Sequence, residues 1–261
     1  MTTIAILGLG EAGRLYAQGL AGAGAVVRGY DPHHWLNAPG VAQSADLAEA
    51  LAGAEVVLSL VSGHAAASVA RSALPHVRDG AVYADLNSGS PAMKEEIAEF
   101  AAGQGLLMAD AAVLAPVARA GHRTPLLVSG TGARALGERL APFGVPIAVL
   151  DAAAGEAARL RLLRSVFMKG LATLVIEGLG AARAAGAEEW LHAQIADELG
   201  PEGDALVHRL VEGTHAHAGR RVHEVRAALT EIEATGQPAD MTRATLAWLE
   251  RLAPEGPPPG R

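Results

Sequence analysis

Between Thr2 and Leu150, seven short runs rich in Val, Ile and Leu alternate with alanine-rich stretches of helix length. The runs are "TIAILG", "AVVRGY", "EVVLSLV", "GAVYADL", "GLLMAD", "PLLVSG" and "PIAVL". Continuously apolar strands need cover on both faces, and helix-length connections provide it, so the pattern predicts βαβ units with parallel strands. After Asp151 the runs stop. Residues 155–186, "GEAARLRLLRSVFMKGLATLVIEGLGAARAAG", read as one long helix, apolar on most of its circumference and so expected to be buried on several sides. Further helices are expected at about 188–198, 202–231 and 240–252, with "ATGQPAD" separating the last two. The organisation predicted is a strand-rich domain over 1–152, an all-helical domain over 153–253, and a disordered tail, "PEGPPPGR", over 254–261.

The first strand runs into "GLGEAG", which sets Gly8, Gly10 and Gly13 in a G-x-G-x-x-G pattern. The pattern alone is weak. Here it follows an apolar strand, opens a helix, and is followed by a second strand ending in Asp31, 18 residues beyond Gly13. Gly8 permits a tight turn, Gly10 lets a diphosphate approach the backbone, and Gly13 lets the helix pack on the strand. The helix N-terminus then offers its free N–H groups and partial positive charge to phosphate. The expected fold is therefore an α/β Rossmann domain followed by an all-α C-terminal domain. Its coenzyme contacts are expected at Gly8, Leu9, Gly10, Glu11, Ala12, Gly13, Asp31 and Val61. A carboxylate at Asp31 accepts ribose hydroxyls and repels a 2′-phosphate, which favours NAD, while His33 and His34 beside it leave NADP open.

Composition narrows the partners. The formal charge is −7, with no basic block or interleaved aromatics, which argues against nucleic acid and anionic membranes. There is no cysteine, which excludes disulfides, zinc–thiolate sites and thiol nucleophiles. The apolar start is too short to span a bilayer and follows no basic segment, so a soluble, cytoplasmic protein is expected. Only two lysines occur, Lys94 and Lys169.

Four segments carry a family resemblance: "ILGLGEAGRLYAQGLAGAG", "VYADLNSGSP", "DAAVLAPVARAGHRTPLLVSG" and "GEAARLRLLRSVFMKGL". They are similar to the opening, substrate-loop, glycine-loop and interdomain-helix segments of the β-hydroxyacid dehydrogenases, which include 3-hydroxyisobutyrate and 6-phosphogluconate dehydrogenases. "RLLRSVFMKGL" and "THAHAGRR" further resemble a bacterial 6-phosphogluconate-dehydrogenase-like subgroup with a C-terminal domain of unknown function. The resemblance implies hydride transfer between a nicotinamide coenzyme and a small hydroxy or sugar acid, and a homodimer formed through the helical domain. It also implies that the family's catalytic lysine falls on Arg161 and its asparagine on Ser165. The family's S-G-G falls on Leu114, Ala115 and Pro116, and its Ser-Thr on Asn87 and Ser88.

Arginine is a carboxylate clamp and a poor proton shuttle. Lys169 stands two turns further along the helix, about 80° round from Arg161. The site expected from these readings has Lys169 moving the proton and Arg161 binding the carboxylate, with Asn87, Ser88, Gly89 and Ser165 orienting the substrate. Arg119, His122 and Arg123 are candidate anion ligands, and Arg220 and Arg221 candidate carboxylate ligands. His215 and His217 are 200° apart on a helix and cannot chelate one ion, so no metal is expected. Two other outcomes share the fold: reduction of imines or oxidative rearrangement of a sugar acid, and a coenzyme-binding protein without turnover.

Overall fold

The computed structural model describes residues 2–253; the expected tail over 254–261 lies outside them. Two compact units are present, Met1–Arg161 and Leu162–Arg261.

In the first unit eight strands form one sheet: β1 (Thr3–Leu7), β2 (Val26–Tyr30), β3 (Val41–Gln43), β4 (Val56–Ser59), β5 (Val82–Asp85), β6 (Leu107–Val113), β7 (Leu126–Ser129) and β8 (Ile147–Val149). Their order is β3-β2-β1-β4-β5-β6-β7-β8. The chain runs outward from β1 to β3, then returns to β4 on the other side of β1, so the topological switch lies between β1 and β4. All pairings are parallel except β6 with β7, where Asp110 faces Ser129 and Val113 faces Leu126. Two features depart from the expected strand pattern. β3 has three residues and no apolar run to announce it, and β6–β7 is antiparallel, joined by a loop with two single-turn 3-10 helices in place of a crossover α-helix.

The period of two along β1 divides the core. Ile4 and Ile6 join Tyr16 and Leu20 of α1 (Glu11–Gly22) and Leu136 and Leu140 of α5 (Ala133–Leu140). Ala5 and Leu7 join Leu51 of α2 (Leu47–Leu51), Ala66 and Ala70 of α3 (Ala66–Ala73), and Ile97 and Ala101 of α4 (Pro91–Ala102). Both faces of the strand are buried, which is why its sequence is apolar without alternation.

The second unit takes up α6 (Glu156–Ala184) from Leu162 and adds α7 (Glu188–Glu198), α8 (Gly203–Ala234) and α9 (Asp240–Leu252). Ala172, Val175 and Leu179 of α6 pack with Val207 and Leu210 of α8, while Val222 and Val225 of α8 pack with Leu249 of α9. α8 is kinked at His217, whose backbone leaves helical geometry at φ −130°, ψ 21°. The expected burial of α6 on several sides is corrected: Leu163, Phe167 and Leu174 lie on one face and remain exposed.

Candidate functional site

The turn after β1 is built on three glycines with different jobs. Gly8 has φ +88°, and a Cβ there would stand 2.5 Å from the Leu60 carbonyl oxygen. A Cβ on Gly13 would stand 1.8 Å from the Gly8 carbonyl oxygen, so only glycine lets α1 return this close to the loop. At Gly10 a Cβ would meet nothing within 4 Å. Gly10 is the N-cap of α1, and no side chain caps that end. The first-turn N–H groups of a helix have no intrahelical acceptor, so Glu11, Ala12 and Gly13 present backbone donors at an open cradle. These features fit the diphosphate of a dinucleotide. Glu11 serves that purpose only through its backbone, since its carboxylate repels phosphate.

Asp31 closes the other side. Its Oδ2 accepts Leu9 N–H at 2.7 Å, and its Oδ1 accepts the N–H groups of His33 and His34 at 2.8 and 3.0 Å. The His34 ring nitrogen Nδ1 lies 3.2 Å from Oδ2. Burial raises the pKa of Asp31, but these donors outweigh it and hold the carboxyl below its usual value. The acid thus fastens the glycine loop. Val61 follows β4 and lines the back of that loop, its Cγ1 standing 2.9 Å from where a Gly8 Cβ would be.

Beyond the switch point, the loops after β4 and β5 lie together, and a Cβ on Gly63 would stand 2.3 Å from the Ser88 carbonyl oxygen. Asn87 is buried and donates from Nδ2 to Ser59 Oγ at 2.9 Å and Asp85 Oδ2 at 2.8 Å. Its Oδ1 has no hydrogen-bond donor. A buried amide oxygen left this way is an acceptor waiting for a ligand O–H or N–H. Arg161 Nη1 donates to Ser88 Oγ at 3.4 Å, which brings two of the expected substrate residues together. A Cβ on Gly89 would meet the flexible end of Met93 at 2.0 Å and Lys94 Cε at 3.8 Å, and Ser90 caps α4 by accepting Met93 N–H.

Underneath lies a network that no sequence motif announces. Lys94, on α4, is 1% exposed. Its Nζ donates to Asp85 Oδ1 and to the Asp85 carbonyl at 2.9 Å, and reaches Asp110 Oδ1 at 3.4 Å. The other oxygen of Asp110 accepts Gly155 N–H and Ala158 N–H at 3.1 and 3.0 Å, while Ser129 Oγ accepts Ala157 N–H at 3.1 Å. Asp110 and Ser129 therefore cap the start of α6 and set the register of Arg161, one turn further on. The available signal was a lysine inside an amphipathic helix of a chain with two lysines.

In the second unit, Lys169 is 9% exposed. Its Nζ donates to Ser165 Oγ and forms an ion pair with Glu224 Oε2 at 2.8 Å. Arg220 Nε stands 4.0 Å from the other Glu224 oxygen. Arg221 donates to the buried Thr214 hydroxyl across the kink of α8, and burial pushes its guanidinium pKa down. The motif "THAHAGRR" thus encodes a helix break bridged by an arginine, while His215 and His217 are exposed on it. On the loop between β6 and β7, Arg119 and Arg123 are exposed. His122 instead packs on α1, where a Cβ on Gly19 would strike its ring at 2.0 Å, and its Nε2 lies 3.2 Å from the Phe143 carbonyl oxygen.

The NAD binding domain of 6-phosphogluconate dehydrogenase matches residues 3–143, more than half of the chain and the whole of the glycine loop, Asp31 and Asn87. The chain belongs to this family. A domain of unknown function matches residues 182–252. A conserved hypothetical protein from Sinorhizobium meliloti is 35% identical, with a TM-score of 0.75 over 96% of this chain and 88% of that one. A probable 3-hydroxyisobutyrate dehydrogenase of Mycobacterium bovis is 34% identical over 135 residues, which span 50% of this chain and 46% of the relative. The fold is also that of Mycobacterium tuberculosis 3-hydroxyisobutyrate dehydrogenase, at 24% identity and a TM-score of 0.79 over 96% and 93% of the two chains. The 6-phosphogluconate dehydrogenase-like chain thus carries a hydroxyacid dehydrogenase fold with a nicotinamide coenzyme domain.

Proposed function

We propose that this protein is an NAD-dependent dehydrogenase of a small hydroxy acid. The observation that carries the reading is the pairing of an open diphosphate cradle at Gly10 with a carboxylate at the end of β2. Bound there, the coenzyme supplies or accepts a hydride at the carbinol carbon of the substrate. The loop N–H groups bind its diphosphate and Asp31 orients its adenosine ribose, with the His34 ring moving aside to free Oδ2. A negative charge at Asp31 favours NAD over NADP.

The substrate roles follow from the chemistry of each group. Arg161 binds the carboxylate through its planar guanidinium, supported by the Ser88 hydroxyl. Asn87 offers its unpartnered Oδ1 to a substrate hydroxyl. Gly89 contributes its backbone at the loop, and Ser165 holds the Lys169 ammonium. Lys169 gives its proton to the substrate oxygen during reduction and is reprotonated from solvent, and in oxidation it takes the hydroxyl proton and releases it to solvent; the Glu224 carboxylate beside it favours the ammonium form. The protein acts as a soluble cytoplasmic homodimer, and the exposed apolar face of Leu163, Phe167 and Leu174 supports pairing through the helical region.

A panel of small hydroxy acids assayed with NAD and NADP, followed by coenzyme absorbance, tests the reading. NAD-linked turnover on at least one acid is expected. Turnover confined to cyclic imines with NADPH would move the chemistry to imine reduction, an outcome that the arginine at position 161 keeps open. Coenzyme binding without turnover on either panel would make the chain a coenzyme-binding protein.

A further inference from the structure

The helical unit holds a side-chain cluster that the proposed chemistry does not use. His192 of α7 faces Asp204 and His208 of α8, with His192 Nδ1 3.6 Å from Asp204 Oδ1. The two imidazole centroids are 5.5 Å apart with their planes at 58°. One ligand atom from each of the three residues lies within 4.8 Å of the others. Among the described residues this is the one group of three His, Asp or Glu side chains that converges so closely. Asp204 and His208 are four residues apart and share a face of α8.

We propose that His192, Asp204 and His208 bind a first-row divalent transition metal ion of the Zn²⁺ class, which clamps α7 to α8. Tetrahedral coordination with bonds of about 2.0–2.1 Å places ligand atoms about 3.3 Å apart, so small side-chain rotations close the site. Two imidazoles with one carboxylate suit Zn²⁺, Co²⁺ or Ni²⁺ and not the all-oxygen preference of Mg²⁺ or Ca²⁺. With no cysteine in the chain, no thiolate competes for the ion. Asp204 is 73% exposed and His192 26% exposed, which leaves the remaining coordination positions to water.

The backbone holds the ligands in register. Gly200 has φ +84°, and a Cβ on Gly203 would stand 1.9 Å from the Ala196 carbonyl oxygen, so the turn between the helices admits only glycine at this approach. Ile195 of α7 and Leu199 at its C-terminal cap pack with Leu206, Val207 and Leu210 of α8, beside the proposed ligands. An acid in the first turn of a helix is stabilised by the macrodipole without any metal. That accounts for Asp204 but not for two imidazoles gathered against it.

The test uses the full-length protein, stripped with chelator and titrated with Zn²⁺ by calorimetry and with Co²⁺ by visible absorption. One ion per chain with micromolar or tighter affinity is expected, with a melting temperature raised by several degrees. His192→Ala and His208→Ala should each weaken binding at least tenfold and abolish the melting shift, whereas a His215→Ala/His217→Ala variant should bind as the parent does. Should a histidine variant fail to fold, the exposed Asp204→Asn change provides the same test with the core intact. No uptake by the parent, equal uptake by a His192→Ala/His208→Ala double variant, or uptake that follows His215 and His217 would each overturn the site. Coenzyme affinity is read separately and does not enter the result.

Discussion

Asp31 Oδ2 accepts the main-chain N–H of Leu9 at 2.7 Å, so the acid that ends β2 holds the glycine loop that follows β1. Replacing it with Asn keeps the shape and removes the charge. NAD affinity is expected to fall at least tenfold in Asp31→Asn, since hydrogen bonds to a charged acceptor contribute about 1.5–3 kcal/mol. Fluorescence titration with NADH measures this, and a parallel NADPH titration should show a smaller loss or a gain.

The same carboxylate carries a pH dependence. Its folded pKa is depressed, so its contribution to stability is complete above the unfolded value, about 3.9. It is lost as pH falls through the folded value. Chemical denaturation of the parent and Asp31→Asn should therefore differ at neutral pH and converge below about pH 4. A stability difference that persists unchanged at lower pH would contradict the assignment.

Gly10 and Gly13 separate binding from folding. Gly13→Ala forces a Cβ to within 1.8 Å of the Gly8 carbonyl, and overpacking of this kind costs about 1–3 kcal/mol or more. Gly10→Ala meets no atom within 4 Å. It should leave the urea midpoint nearly unchanged while weakening NAD at least tenfold, because the methyl group fills the cradle.

Lys94 sits between Asp85 and Asp110 with almost no solvent exposure. Lys94→Met leaves two buried carboxylates without a cation, and breaking a buried pair in this way costs about 3–5 kcal/mol. Adding Asp85→Asn should restore part of that loss, and denaturation of the single and double variants completes the cycle.

Lys169→Met tests the proton-transfer role. Turnover should drop by about 10²–10⁴-fold with NAD affinity retained, the range typical of a lost general acid. Lys169→Arg keeps the ion pair with Glu224 but cannot exchange a proton at neutral pH, so it should fold normally and remain inactive. Turnover at the parent rate in either variant would remove lysine from the mechanism.

The glycine loop, Asp31, the strand-rich first part and the four C-terminal helices were all legible in the sequence. Each is written in local terms: a turn that only glycine makes, an apolar run, a helical repeat with a breaker. β3 was not legible, because a three-residue edge strand gains its identity from pairing with β2. Nor was the reversal at β7, which depends on how the loop over 114–125 closes rather than on the strand's own residues.

The roles of the charged residues divide in the same way. The sequence marked Lys169 as one of two lysines, the family resemblance marked Arg161, and the absence of cysteine left no thiol to consider. Only tertiary structure set Lys94 between two carboxylates, turned Asp110 into the cap of α6, paired Lys169 with Glu224, and brought His192 to Asp204 and His208. A glycine's backbone freedom is a property of the residue and can be read in one dimension. The state and purpose of a charged side chain depend on the groups folding brings within a few ångströms of it, from segments far apart in the chain.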